Sequence, residues 1–122
     1  MMAVRGVRGA ITVDRDESAL ILAATERLLR EIVTQNEFAP EEIASALFTV
    51  THDLGAEFPA AAARHMGWTQ VPLLNFTEID VPGSLPRCIR VLLHVNTEKT
   101  GAQIIHVYLE DARRLRPDLQ QS

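Results

Sequence analysis

The sequence predicts an α+β domain: a five-stranded mixed sheet with one long and one or two short helices on one face. Three observations predict it. The elements read as strand, long helix, strand, short helix and then three strands, which places helices over a mixed sheet. The strand segments alternate apolar and polar residues, so each sheet face has its own chemistry. The chain has 122 residues and is 47% apolar, which suits a single domain over residues 1–122 with one core. Few aromatic residues are available, so aliphatic side chains must fill that core.

Residues 4–13 read as the first strand, with Val7, Gly9, Ile11 and Val13 on one face and Arg8, Ala10 and Thr12 on the other. Asp14 and Asp16 are candidate caps for a helix that runs to about Asn36, and Glu17 adds negative charge near its start. The stripe of Ile21, Ala24, Leu28 and Ile32, broadened by Leu29 and Val33, faces the sheet. Pro40-Glu41-Glu42 opens a short helical turn. Ala46 to Thr51 is the second strand, ended by Asp53-Leu54-Gly55. Phe58 to Gly67 is a short helix with proline near its start and glycine after its end. Gln70 to Phe76 is the third strand, Val81 to Pro86 a loop, and strands four and five fall at about 87–96 and 104–110. The tail is polar, and Pro117 stops regular continuation.

On the last two strands, Ile89, Val91, Leu93, Val95, Ile105, Val107 and Leu109 face the helices. Cys88, Arg90, Leu92, His94, His106, Tyr108 and Glu110 face the other way. That second face is too mixed for plain solvent and too polar for a core; a subunit interface is the economical cover. Arg90 is its most informative member, because a cation in an apolar strand is costly to bury unless an anion meets it. Arg8 and Tyr108 share its phase, and Glu78 follows the third strand. Two guanidiniums, a phenol and a carboxylate suit a small dianion that also carries a hydroxyl. A salt-bridged network with no ligand produces the same cluster, and spacing alone favours that plainer reading.

Composition excludes several chemistries. The net charge is −4, which argues against general nucleic-acid binding. No apolar run approaches the roughly 20 residues of a membrane span, and no leader-like segment opens the chain, so a cytoplasmic location is expected. Lys99 is the single lysine and lies in a turn-like segment, so Schiff-base chemistry is not expected. Cys88 is the single cysteine; its place inside a strand favours a packed thiol over a nucleophile. His52, His65, His94 and His106 lack metal-ligand spacing, although His94 and His106 could be cross-strand neighbours. No phosphate-loop or dinucleotide motif occurs.

The residue strings go further. Arg5-Gly6-Val7-Arg8-Gly9-Ala10, Cys88-Ile89-Arg90-Val91, His106-Val107-Tyr108-Leu109-Glu110 and Leu115-Arg116-Pro117-Asp118-Leu119 resemble the AroH-class chorismate mutases. So do Phe58-Pro59-Ala60, Gly67-Trp68 and Glu78-Ile79-Asp80-Val81. The resemblance spans the chain in order. It implies a homotrimer whose sheets close into a barrel-like core, with active sites between subunits. It implies the cofactor-free, metal-free rearrangement of chorismate to prephenate on the way to phenylalanine and tyrosine. Arg90 would then point at the ether oxygen, and Glu78 would accept the ring hydroxyl's hydrogen bond. Arg8 and Tyr108 would bind carboxylate. Leu74, Asn75, Phe76 and Thr77 would line the pocket. Phe58 and Arg64 would come from the neighbouring subunit, and Leu115 and Arg116 from a C-terminal cover formed by residues 111–122. Asn75 departs from the cysteine of some relatives, and the stretch after Arg64 is one residue short of the family pattern. Two other readings stay open on architecture alone: a trimeric enamine or imine deaminase, and a noncatalytic trimeric sensor of a carboxylated metabolite.

Overall fold

Period-two alternation sorts five strands into one mixed sheet. The computed structural model of the chain describes residues 2–116. The strands are β1 (Ala3–Thr12), β2 (Ile43–Val50), β3 (Leu73–Thr77), β4 (Cys88–Thr97) and β5 (Val107–Leu109). The helices are α1 (Ser18–Asn36) and α2 (Ala60–His65), with 3-10 turns at Pro40–Glu42, Gly101–Gln103 and Glu110–Leu115. The sheet order is β3-β2-β4-β1-β5. Central β4 runs antiparallel to both neighbours, β1 and β2, while β2–β3 and β1–β5 pair in parallel. Among the described residues, no helix is long and apolar enough to cross a membrane.

Both helices lie on the apolar face. Ile21, Leu28, Leu29 and Ile32 of α1 pack with Val7, Ile11, Ile89, Leu93, Val95 and Val107 of the sheet in one buried cluster. Gly9 marks the closest approach of α1 to the sheet. A Cβ there would lie 2.7 Å from Ile32 Cδ1, 3.1 Å from Leu28 Cδ1 and 3.3 Å from the Val107 carbonyl oxygen. Any larger residue at this position would force the ends of Ile32 and Leu28 to move.

The sequence placed the caps of α1 wrongly. Glu17 occupies the N-cap with no side-chain capping bond, and its carboxylate is taken by Arg15 at 2.6 Å. Asp16 instead accepts the N–H groups of Gly55 and Ala56 at 3.0 and 2.9 Å, tying the helix entry to the loop after β2. At the other end Asn36 does close the helix, and Glu37 follows in the left-handed region at φ 58°.

Asn36 also explains why β5 is shorter than expected. Its buried amide donates to the carbonyl of Ile105 at 2.8 Å and accepts the N–H of Ile105 at 2.8 Å. Ile105 therefore spends its backbone groups on a side chain, and sheet pairing begins only at Val107. Ile104, not Ile105, is the residue that enters the core. Because β5 pairs with β1, His94 on β4 and His106 are not cross-strand neighbours as expected; β1 lies between them. The third strand also starts later than predicted, since Val71 turns into the core before pairing begins.

Helices on one face leave the polar face to the C-terminal segment. The turn Glu110–Leu115 docks there, with Ala112 fully buried beside Ala10, Cys88 and Tyr108. Pro117 and the remainder of the expected tail lie outside the described residues.

Asn36→Ala should destabilise the fold by about 1–3 kcal/mol or more, because both peptide groups of Ile105 lose their buried partner. Urea denaturation of the variant and the parent checks this; equal midpoints would refute the bridging role.

Candidate active site

The site is built on two adjacent rungs of the sheet. One rung crosses all five strands: Phe76 on β3, Thr49 on β2, Arg90 on β4, Ala10 on β1 and Tyr108 on β5. The next rung on the same face holds Leu47, Leu92 and Arg8. Successive residues on one face are two apart, so these rungs form one continuous floor. A cleft of about 410 Å³ lies over it, within the usual range for small-molecule sites. Glu78, just past β3, Leu115, at the end of the C-terminal turn, and Arg116, just past it, form its walls.

Charge in the cleft is partly matched. Arg90 Nε lies 3.1 Å from Glu78 Oε2, and both side chains remain partly solvent-accessible. Arg8 makes no ion pair among the described residues, which leaves its guanidinium available to an incoming anion. Tyr108 is 6% exposed and packs with Ala10, Cys88 and Ala112. Of the expected cluster, Arg90 and Glu78 form one ion pair, and the cleft lies over it.

Two neighbours have shifted proton affinities. Burial pushes the Cys88 thiol up to about 11, against the pull of nearby Arg90, so the sulfur stays protonated and is a poor nucleophile. Burial also lowers the pKa of His106, and the charges of Arg8 and Arg116 lower it further. Neutral His106 suits its contact: Nδ1 accepts the backbone N–H of Arg8 at 3.0 Å. Among the described residues, no three His, Cys, Asp or Glu side chains are grouped as a metal site.

Of the residues singled out from sequence, Arg8, Phe76, Glu78, Arg90, Tyr108, Leu115 and Arg116 meet in this cleft. Phe58, Asn75 and Thr77 do not; they line a separate recess of about 310 Å³ beside β3, and Phe76 borders both. Asn75 Oδ1 accepts the N–H of Ala60 at 3.0 Å, so half of its side chain caps the start of α2. Leu74 is exposed on the edge strand, and Arg64 is exposed on α2. Sequence reasoning missed Leu47, Thr49 and Leu92 as floor residues. The Thr49 hydroxyl is buried there without a hydrogen-bond partner among the described residues. Alternation on β2 carries the signal, but only its register against β4 brings Thr49 opposite Arg90.

The comparisons with known proteins identify the family. The family model described as chorismate mutase type I matches residues 4–119. The chain belongs to the type I chorismate mutase family. It is 52% identical over 118 residues to chorismate mutase AroH of Thermus thermophilus, covering 96% of this chain and 97% of that one. It is 47% identical over 119 residues to chorismate mutase AroH of Bacillus subtilis strain 168, covering 97% and 94%. Among solved structures, a chorismate mutase from Clostridium thermocellum superposes with a TM-score of 0.89 at 50% identity, covering 89% of this chain and 97% of that one. The type I resemblance drawn from the sequence strings is thereby established, along with the α+β fold.

The lowered pKa of His106 sets a direction for pH dependence. Between its folded value and the ordinary 6.5, the unfolded chain binds the proton more readily. Stability from this group is complete above 6.5 and is lost as pH falls through the folded value. Melting temperatures from pH 8 to 5 should fall more steeply for the parent than for His106→Gln, and parallel curves would contradict the shift.

Proposed function

We propose that this chorismate mutase converts chorismate to prephenate in the cleft over Arg90, by restricting the substrate's shape and stabilising developing charge. The observation that carries the reading is the single rung that sets Arg90 and Tyr108 in one cleft with Arg8 and Glu78. The reaction is an intramolecular Claisen rearrangement. A carbon–oxygen bond breaks while a carbon–carbon bond forms, with no obligatory nucleophile or proton transfer. The cleft supplies what that chemistry needs, which is positioning and fixed charge.

In this reading Arg90 donates to the ether oxygen, which becomes negative as its bond breaks. Arg8 and Tyr108 hold carboxylate. Glu78 accepts the ring hydroxyl's hydrogen bond and favours positive charge developing on the ring. Its existing pairing with Arg90 keeps both groups aimed into the cleft before substrate arrives. Leu115 and Arg116 cover the open side.

We further infer a homotrimer with sites between subunits. Its support is the placement of Phe58, Leu74, Asn75 and Thr77 along the β3 edge, away from their own chain's Arg90 cleft. Phe58 is 63% exposed and Leu74 57%, an apolar edge that a second copy would cover. Phe58, Arg64 and the free amide of Asn75 would then serve the neighbour's cleft. Family membership selects the mutase over the deaminase reading. Turnover separates it from the sensor.

Loss of chorismate ultraviolet absorbance, with the product identified by acid conversion to phenylpyruvate, tests the activity. A folded protein without turnover would sink the proposal. Arg90→Ala should lower kcat by about 10²–10³, the usual cost of one preorganised donor, while Cys88→Ala changes it far less. Comparable losses would contradict the role of Arg90. Co-refolding Arg90→Ala with Phe58→Ala should restore some activity through sites that receive both intact residues. No recovery would argue for sites within one chain.

A further inference from the structure

We propose that Asp53 is a positioning residue for Arg90: its carboxylate holds the left-handed backbone of Arg87 and so sets the direction in which β4 delivers Arg90 to the cleft. The proposal rests on the role given above to Arg90. Arg87 immediately precedes β4 and has φ 50°, a region that residues bearing a Cβ rarely occupy without outside support. The support is visible. The Arg87 N–H is directed at both carboxylate oxygens of Asp53, at 3.2 and 3.0 Å.

The same carboxylate reaches the next peptide through one side chain. The Thr51 hydroxyl donates to Asp53 Oδ1 and accepts the Cys88 N–H at 3.0 Å. The Thr51 N–H returns to the Cys88 carbonyl at 3.1 Å. On the far side, Arg87 is tied twice to Val13, through its carbonyl at 3.0 Å and its Nε at 3.1 Å. Arg90 lies two residues beyond Cys88, on the same face of β4. The end of β2 that leads to Asp53 also holds the other half of the pair, since Val50 accepts the N–H of Glu78 at 2.8 Å. Asp53 therefore stands where the segments carrying Arg90 and Glu78 are fastened together.

Its chemistry suits the task. Burial opposes ionisation, but the hydrogen bonds from Thr51 and Arg87 outweigh it and hold the carboxyl below its usual range. An ionised acceptor makes the stronger bond to the strained peptide. Asp53 takes no part in the sheet pairing on either side of β4, so the expected fault is in aim and not in fold.

The test measures kcat and KM for chorismate in Asp53→Ala, Asp53→Asn, Arg87→Gly and the double variant Asp53→Ala/Arg87→Gly, beside Arg90→Ala. Asp53→Ala should lower kcat by about 10- to 100-fold, as expected of a small misplacement, with KM changed by less than about threefold. Asp53→Asn, which keeps an acceptor, should recover most of that loss. Glycine adopts φ 50° freely, so in the Arg87→Gly background Asp53→Ala should cost only about threefold or less. If Arg90→Ala is inactive but Asp53→Ala keeps its kcat, or loses it equally in both backgrounds, the positioning role is overturned while the catalytic reading stands. If Arg90→Ala keeps full kcat, the catalytic reading fails and the positioning role fails with it. Should Asp53→Ala not fold, Asp53→Leu, close to Asp in size but without an acceptor, carries the same comparison in the two backgrounds.

Discussion

Strand β4 lies between β1 and β2, and its side chains point alternately into the helix-covered core and onto the cleft. A slip of one residue against either neighbour would turn Arg90 into the core and Ile89 onto the cleft floor. A buried unpaired guanidinium would be severely destabilising, so core packing and site construction enforce the same register. Ile89, Val91, Leu93 and Val95 lock one face of the strand under α1. The other face inherits its order from that lock. Phe76, Thr49, Arg90, Ala10 and Tyr108 align because five strands obey one register.

Small residues make room on both sides of that register. Gly9 lets α1 and β5 approach β1 from the core side. Ala10, its neighbour, lies between Arg90 and Tyr108 on the opposite side of the sheet and is buried under the C-terminal turn through Ala112. The sheet edges are handled differently. β5 is three residues long and is braced by Asn36 and by the ion pair of Arg27 with Glu110. β3 carries exposed Leu74 and Phe76 with Phe58 nearby, and this is the edge assigned to a second copy of the chain.

The electrostatic design follows from what the cleft lacks as much as from what it holds. Beside the cleft, burial keeps the Cys88 thiol protonated and lowers the pKa of His106, so near neutral pH neither competes with the arginines as a charged group. Arg90 is aimed by Glu78 and Arg8 is braced through its backbone by His106. Such fixed donors stabilise charge without reorganising when the substrate's bond breaks, which suits a rearrangement that uses no covalent intermediate.

On β1 and β4 alternation alone determined which residues face the core and which the opposite side, but at β5 it put Ile105 in the core where Ile104 stands. The strings around Arg8, Arg90 and Tyr108 marked the family. Of the expected residues that meet in the cleft, Arg8, Phe76, Glu78, Arg90 and Tyr108 lie on regular strands or just past one, whereas Leu115 and Arg116, at the end of the C-terminal turn, came from the resemblance alone. Other features depended on contacts between segments far apart in sequence. Asn36 pairs with Ile105 across the core, Asp16 caps a loop and not its own helix, and Thr49 meets Arg90 only through the pairing of β2 with β4. Local pattern reports the direction in which a side chain points, because that follows from backbone geometry. It does not report what the side chain meets there; that was decided by strand order, register and the competition of buried backbone groups for hydrogen-bond partners.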